Sequence, residues 1–346
     1  MTYAAVFGVA FLAACLITPL AGSFGTRLGL VDVPVGRRRH SGPVPRIGGL
    51  GLSAGFALAC GAALALAPLS NPEDRRRIAG VLLGCAFVLA VGLLDDWKEL
   101  KPWPQLAAQA AAALIAAATT VFIERFTNPL NNQLVVLPLW LAVPVTVFWI
   151  VGMMNTVNWL DGLDGLAAGV GAIAAGLFAL HAYRLGQKEV ALYPLALAGA
   201  CLGFLPFNFH PARVFLGSAG AMVAGYALAT FSILAPARVA TALLVMAVPI
   251  VDTAWQIFDR YRRGRSPMQG DRGHLHFRLL DLGWSQRAIV LGYWLFCAAF
   301  GALSLLVSSR LYKLVSLLLL GALVLAVLVL LTRRQAGEQQ SVSRDR

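Results

Sequence analysis

The sequence predicts an all-α polytopic membrane protein with about 11 transmembrane helices. Of its 346 residues, 59% are hydrophobic and only 13% are charged. The mean hydropathy is +0.74, which is far from the balance of a soluble protein. Apolar runs of spanning or near-spanning length recur along the whole chain. Most basic residues fall in every second loop, as is typical of cytoplasmic loops.

Each apolar run is interpreted as one helix. In chain order the runs cover residues 4–20, 47–69, 78–94, 106–123, 135–153, 166–182, 192–204, 219–234, 239–257, 288–307 and 314–331. The seventh and eighth runs are the shortest. No basic segment precedes the first run, which favours a retained span over a cleaved signal peptide. Residues 1–332 are therefore predicted to form one membrane domain, and residues 333–346 a polar, disordered cytoplasmic tail.

The basic residues also predict the orientation. Most of the 28 Lys and Arg residues share one side if the N-terminus is outside and the C-terminus is cytoplasmic. Three consecutive arginines at 75–77 are the main exception. The net charge of +12 is thus a topology signal. Nucleic-acid binding is disfavoured, because no basic stretch is interleaved with stacking aromatic residues on a soluble domain.

The most informative polar segment lies between the fifth and sixth runs. Asn155, Asn158, Asp161 and Asp164 follow one another at three-residue spacing. In a helix this spacing places them on neighbouring positions of one face. Glycines beside both acids allow a ligand to approach the backbone closely. A polar cap on two spans is the alternative, but a cap rarely needs four such groups in ten residues. The segment is therefore predicted to be a site.

Two further loops on the predicted cytoplasmic side carry charged groups. Asp95 and Asp96 end the third run, and paired carboxylates there indicate a metal or a basic partner. Two solvated loop acids are the alternative. The first loop combines several arginines with the sequence Pro-Val-Pro-Arg46-Ile-Gly-Gly, a composition suited to phosphate. A positive-inside loop would explain the arginines but not the Pro-Arg-Ile-Gly-Gly sequence.

The loops after the seventh and ninth runs complete this polar face. They contribute Asn208, Phe215, Arg272, His274, His276 and Arg278, and the solitary His210 lies beside Asn208. Two His residues among arginines suit phosphate, whereas zinc would need more ligands than this cluster offers. Asp252, near the inner end of the ninth run, is interpreted either as support for the site or as a structural hydrogen-bond partner. Together, five loops predict a site that handles a polyanion.

These motifs resemble the polyprenyl-phosphate N-acetylhexosamine-1-phosphate transferases of glycosyltransferase family 4. The resemblance rests on Pro-Val-Pro-Arg-Ile-Gly-Gly, the Asp-Asp pair, Asn-x-x-Asn-x-x-Asp-Gly-Leu-Asp-Gly-Leu-Ala and Arg-x-His-Leu-His, in that order. It runs from the first loop to about Arg287. The His-Leu-His segment looks more like the UDP-GlcNAc branch than the related phospho-MurNAc-pentapeptide translocases, which tend to have consecutive His residues there.

The resemblance implies a reaction, a location and roles for residues. A sugar 1-phosphate, with GlcNAc-1-phosphate expected, would pass from a UDP-N-acetylhexosamine to undecaprenyl phosphate at the cytoplasmic face of the bacterial inner membrane. Mg²⁺ is the expected ion, with Mn²⁺ as the alternative, and a homodimer is left open. Asp95, Asp96 and His276 are the implied catalytic residues, and Asp95, Asp96 and Asp161 the implied metal ligands. The implied substrate-binding residues are Asn155, Asn158, Asp161, Asp164, Asn208, Phe215, Arg46, His274, Arg272 and Arg278.

The chain departs from the family pattern at three positions. Ser218 stands where the family has a metal-binding Asp, and Phe277 replaces the second His of a pair. Gln105 replaces a Lys, unless Lys101 takes its place. Two interpretations follow: a working variant that uses the remaining carboxylates, or a chain that binds substrate without turnover. A transporter is the third hypothesis, disfavoured because the acids lie at span ends and no matching halves are found.

Overall fold

The computed structural model describes residues 1–33, 42–234, 238–266 and 272–344, with the side chains of residues 238 and 333–344 left out of the description. Within these ranges the chain is almost entirely helical. The helices are α1 (Thr2–Arg27), α2 (Gly49–Leu66), α3 (Pro72–Lys98), α4 (Pro102–Ala118), α5 (Leu139–Leu160), α6 (Leu166–Arg184), α7 (Lys188–Asn208), α8 (Gly217–Ile233), α9 (Arg238–Val245), α10 (Ala247–Arg262), α11 (Leu275–Asp281), α12 (Gln286–Leu306) and α13 (Arg310–Arg344). The strands are β1 (Val31–Asp32), β2 (Val44–Pro45), β3 (Arg125–Thr127) and β4 (Leu134–Val136).

The predicted all-α polytopic class is confirmed in its coarse form. In the described ranges, 8 helices are long and apolar enough to cross a membrane, or 9 if α9 and α10 form one span bent by 77°. The predicted count of 11 is larger, partly because α4 and α8 have only 17 residues each. At 1.5 Å per residue such a helix is about 26 Å long, slightly less than the hydrocarbon core of a bilayer.

Small residues set the spacing of the helices around α8, whose residues Ala219–Ser232 are all buried. A Cβ added to Gly92 of α3 would lie 2.4 Å from the Cα of Ala219, and one added to Gly225 would lie 2.7 Å from the Cα of Met154 in α5. Backbones this close exclude larger side chains, as expected for helix packing in lipid. The core of the bundle therefore lies where α3, α5 and α8 meet.

The connections that carry the predicted site residues share one side of the bundle. The C-terminal ends of α3, α5 and α7 lie beside the N-terminal ends of α6 and α8, as shown by the hydrogen bonds from Gly165 to Asn208 and from Ser218 to Asp96. The first loop, with antiparallel β1 and β2, joins the same side through Gly49 and Leu216. The antiparallel β3–β4 hairpin connects α4 to α5. The backbone of α13 continues to Arg344, through the predicted tail.

Candidate active site

A cavity of ≈ 1010 Å³ opens where these loops meet. The predicted site residues that line it are Arg46, Asp96, Asn158, Asp161, Asp164, Asn208, Phe215 and Arg272. Ser218 and Phe277, two positions that depart from the family pattern, line it as well. The structure thus brings together residues from all five polar loops that the sequence singled out. Residues 37–40 of the first loop and Asp271 fall outside the described residues.

Asp96 joins the end of α3 to the beginning of α8. Its Oδ1 accepts the Ser218 N–H at 2.8 Å, and its Oδ2 accepts the Ala219 N–H at 3.1 Å. These N–H groups belong to the first turn of α8, where backbone donors have no partner within the helix and a negative charge is favoured. Asp96 therefore caps a helix whose N-terminus lies 122 residues further along the chain.

Gly217 allows this cap to form. Its φ is +72°, and a Cβ there would lie 2.1 Å from the Arg46 carbonyl oxygen and 2.9 Å from Oδ2 of Asp96. The Gly217 backbone also hydrogen-bonds to the Asp161 carboxylate. Two acids from different helices, Asp96 and Asp161, thus meet around one residue that has no side chain.

Asp161 follows α5 directly and lines the cavity. Burial raises the pKa of its carboxyl well above the ordinary value. The negative charges of Asp96 and Asp164 raise the pKa further, whereas the hydrogen bond from Gly217 opposes the shift. The negative charge of Asp161 is therefore costly in this environment, and a cation placed beside it would be stabilising.

Asp96 and Asp161 offer the kind of ligands that a magnesium site needs. Among the described residues, no group of three or more His, Cys, Asp or Glu side chains could hold a metal ion. Mg²⁺ is usually held by one or two protein carboxylates, with substrate phosphates and water completing its shell. Asp96 and Asp161 line one cavity, and both carboxylates lie against Gly217, which has no side chain. The donor set fits a cation that is shared with a phosphate substrate.

The Pro-Arg-Ile-Gly-Gly sequence packs against the segment that precedes α8. The Gly48 N–H donates to the Phe215 carbonyl at 3.0 Å, and the Gly49 N–H donates to the Leu216 carbonyl at 2.8 Å. A Cβ on Gly49 would come within 2.2 Å of the Gly220 nitrogen. This close backbone contact is the reason for the two glycines, which a positive-inside loop did not explain. Arg46, just before them, forms an ion pair with Glu99 at 2.9 Å and lines the cavity.

Asn208 lines the cavity, but its amide is used within the protein. Its Oδ1 accepts the Gly165 N–H at 3.0 Å, and its Nδ2 donates to the Val214 carbonyl at 3.1 Å. The side chain is buried and joins the turn before α6 to the loop after α7. The expected contact of Asn208 with a nucleotide stays a prediction, and the contacts seen here position two cavity walls.

Asp95 and Asn155 do not line the cavity and instead bind glutamines of α4. Oδ1 of Asp95 accepts hydrogen bonds from the Leu100 N–H at 2.9 Å and from Nε2 of Gln105 at 2.5 Å. Nδ2 of Asn155 donates to Oε1 of Gln109 at 2.6 Å. Gln105 is the residue that, unless Lys101 takes its place, was interpreted as the replacement of a family Lys. In this chain a neutral amide therefore contacts the first acid of the pair.

The two His residues of the His-Leu-His segment lie behind the cavity wall. Nδ1 of His274 is 2.9 Å from Oδ2 of Asp252, whose Oδ1 accepts the Leu275 N–H at 3.0 Å. Asp252, for which a supporting and a structural role were both considered, thus holds the start of α11 through two hydrogen bonds. Arg278, also outside the cavity, donates through Nε to the Gly273 carbonyl at 2.5 Å and through Nη1 to Thr332 of α13.

His276 is stacked on His274, with ring centroids 5.6 Å apart and an interplanar angle of 9°. Its side chain is buried, and neither ring nitrogen has a hydrogen-bond partner in the described part of the chain. Burial lowers the pKa of His276 to about 3, and the neighbouring Asp252 carboxylate opposes the shift. A Cβ on Gly162 would lie 2.4 Å from Nε2. A neutral His276 therefore lies directly beneath the turn that carries Asp161 and Asp164.

The structure adds lining residues that the predicted set lacked. Apart from Ser218, those with polar or charged side chains are Asp32, His210, Arg213 and Gln286. His210 contacts Asp164 across 46 positions of sequence, with Nδ1 2.7 Å from Oδ2. The position of His210 two residues after Asn208 was a signal that it lies near the site. Its partner could not be identified, because nothing local in the sequence links the two loops.

Comparisons with known proteins agree with this arrangement. The family described as Glycosyl transferase family 4 matches residues 78–236. A probable undecaprenyl-phosphate N-acetylglucosaminyl 1-phosphate transferase of Bacillus subtilis is 31% identical over 309 residues, which cover 88% of this chain and 84% of that protein. A decaprenyl-phosphate N-acetylglucosaminephosphotransferase of Mycolicibacterium smegmatis is 35% identical over 95% of this chain and 90% of its own length. A phospho-N-acetylmuramoyl-pentapeptide-transferase of Halalkalibacterium halodurans is 38% identical, over 45% of this chain and 48% of that protein.

Proposed function

This chain belongs to glycosyl transferase family 4, and we propose that it transfers N-acetylglucosamine 1-phosphate from UDP-N-acetylglucosamine to undecaprenyl phosphate. The observation that carries the proposal is the cavity in which Asp96 and Asp161 meet at Gly217 while Arg46 and Arg272 line the same walls. Phosphoryl transfer depends mainly on positioning and on stabilisation of phosphate charge. The names of the relatives support the choice of sugar phosphate and of lipid acceptor.

The reaction balances as a single displacement at phosphorus. An oxygen of the lipid phosphate forms a bond to the sugar-linked phosphorus, and the bond from that phosphorus to UMP breaks. UMP leaves with the electron pair of that bond, and a polyprenyl-diphosphate sugar stays in the membrane. Arg46 and Arg272 contribute positive charge toward the diphosphate, because both line the cavity that would hold it.

Mg²⁺ is the proposed cofactor, and Asp96 and Asp161 are the residues that would hold it. When bound there, it would offset the negative charge of the phosphates and of the two carboxylates. Asp96 keeps its orientation through the Ser218 and Ala219 N–H groups. Each of its oxygens retains a second lone pair for a cation. Ser218 contributes a neutral hydroxyl at the position where the family has a carboxylate.

We also propose that the chain crosses the bacterial cytoplasmic membrane 11 times, with the cavity on the cytoplasmic face. Contacts between helix ends support this topology, because the start of α4 bonds to the end of α3 through Gln105 and Asp95, and the start of α8 bonds to the end of α3 through Ser218 and Asp96. The basic loops support the orientation, since the first loop and the segment after α10 both lie on the side of the cavity. The organisms of the relatives support the bacterial membrane.

The test is transfer of radiolabelled N-acetylglucosamine 1-phosphate from UDP-N-acetylglucosamine to undecaprenyl phosphate by the purified full chain with Mg²⁺. Formation of labelled lipid and of an equal amount of UMP is expected. Binding of UDP-N-acetylglucosamine is measured beside it by calorimetry. Binding without transfer would favour the interpretation in which the chain binds its substrates but does not catalyse the transfer. Absence of both would remove this donor from the proposal.

A further inference from the structure

His210 occupies a fixed position in the cavity that the proposed reaction does not use. Nδ1 lies 2.7 Å from Oδ2 of Asp164, and the same oxygen accepts the Ala212 N–H at 3.1 Å. Nε of Arg287, in the first turn of α12, donates to the His210 carbonyl at 3.2 Å. Asp164 thus holds the ring of His210, and Arg287 holds its backbone. The side chain remains 38% exposed, and it lines the cavity.

When the ring is neutral, the contact with Asp164 sets the hydrogen-bonding character of its free nitrogen. An ionised carboxylate has no hydrogen to donate, so the contact with Asp164 requires a hydrogen on Nδ1. In the neutral ring, Nε2 is then an acceptor. Nε2 makes no hydrogen bond to any of the described residues. A neutral His210 therefore presents an acceptor to the cavity, oriented by a carboxylate in the manner of other His–Asp pairs.

The ring of His210 contacts Asp164 rather than either of the two acids at Gly217. The charge of Asp161 interacts with both Asp96 and Asp164, and all three acids line the cavity. His210 lies beyond Asp164, near the beginning of α12. Phosphates placed at Asp96 and Asp161 would leave an uncharged part of the donor beside His210.

We propose that Nε2 of His210 accepts a hydrogen bond from an N–H group of the nucleotide-sugar, which makes His210 a specificity-determining residue. This inference rests on the proposed function, because it takes the donor to be a uridine diphosphate N-acetylhexosamine. That donor offers two N–H groups, one on the uracil ring and one on the acetamido group. An acceptor discriminates against cytosine, whose ring nitrogen is itself an acceptor, or against a sugar without the acetamido group.

The experiment measures binding of UMP, CMP, UDP-N-acetylglucosamine and UDP-glucose to the purified full chain by calorimetry. His210→Phe removes the acceptor, and we expect it to weaken UDP-N-acetylglucosamine binding about tenfold. If UMP binding weakens equally and CMP binding does not, the uracil N–H is the partner. If UMP and UDP-glucose are unaffected, the acetamido N–H is the partner. The inference is overturned if the preferences for UMP over CMP and for UDP-N-acetylglucosamine over UDP-glucose both stay at the wild-type ratio.

Two further variants separate recognition from folding. Asp164→Asn can donate an amide hydrogen to Nδ1, which moves the ring hydrogen to Nε2 and makes that atom a donor. A loss of preference in a variant that is still folded supports recognition, whereas an equal loss for all four ligands contradicts it. His181→Gln is the matched control, since His181 contacts Thr241 inside the bundle. Wild-type protein that binds no uridine nucleotide would overturn the proposed function and this inference together, whereas wild-type binding with unchanged preferences in His210→Phe overturns the inference alone.

Discussion

Replacing Gly217 by alanine should disrupt the site and destabilise the protein, and Gly29 provides a matched control. Both glycines have a φ of +72°. An alanine in this left-handed conformation costs about 1–2 kcal/mol at either position. At Gly29 nothing lies within 4 Å of the added Cβ, so this conformational cost is the whole expected effect.

At Gly217 the added Cβ also meets neighbouring atoms. It would lie 2.1 Å from the Arg46 carbonyl oxygen, and because a carbon and an oxygen rarely approach closer than about 3.3 Å, that carbonyl must retreat by roughly 1 Å. Overpacking of this kind adds about 1–3 kcal/mol. The same Cβ would lie 2.9 Å from Oδ2 of Asp96, so the carboxylate must move as well. We therefore expect a total cost of about 2–5 kcal/mol for Gly217→Ala.

The assay compares thermal unfolding in detergent and transferase turnover for the two variants. Gly217→Ala should lower Tm by about 1.5 to 4 times as much as Gly29→Ala. It should also lose most turnover at a temperature where it is still folded, because Asp96 has moved. Equal decreases in Tm, or wild-type turnover in Gly217→Ala, would refute the inference that the close contact at Gly217 positions Asp96.

Three further predictions concern His276, Ser218 and Gln105. Because the pKa of His276 is about 3, the unfolded chain takes up a proton below about pH 6.5 and the folded chain does not. The Tm should therefore fall as the pH decreases from 6.5 towards 3, and it should fall less steeply in His276→Phe. Equal pH profiles of Tm for the two proteins would contradict this prediction. Ser218→Asp adds a carboxylate to the cavity wall and should lower the Mg²⁺ concentration that gives half-maximal transfer. Ser218→Asn is the control, because it adds a neutral side chain. An unchanged Mg²⁺ requirement would argue against a site at Asp96 and Asp161. Gln105→Leu removes a hydrogen bond to Asp95 and should lower the free energy of unfolding by about 1.5–3 kcal/mol. Thermal unfolding of this variant and of Gln105→Asn measures the effect. A wild-type Tm in Gln105→Leu would show that the hydrogen bond contributes little.

The sequence was sufficient to predict the helical class and eight of the 23 residues that line the cavity. Hydropathy is a local property, so runs of apolar residues locate helices without knowledge of their neighbours. Acids such as Asp96 and Asp161 at helix ends indicate a site because lipid gives them no partner. The 77° bend between α9 and α10 was not predicted, because the apolar run continues through it.

Side-chain direction was the main thing that the sequence could not provide. Asp95 and Asp96 are neighbours in sequence, but one binds Gln105 and the other caps α8. His276 was expected to contact phosphate, yet it lies buried beneath Gly162. These outcomes depend on which helices pack together, and that information is not local.

The cap that Asp96 provides for α8 also has a consequence for synthesis of the chain. Asp96 leaves the ribosome 122 residues before Ser218, which corresponds to roughly 6–25 s at ordinary translation rates. Throughout that interval the backbone donors that will bind this carboxylate do not yet exist. An ionised carboxylate without its hydrogen-bond partners is tolerable only where water can reach it. The location of Asp96 at the end of α3, rather than in its middle, thus suits the order in which the helices are made as well as the chemistry of the finished protein.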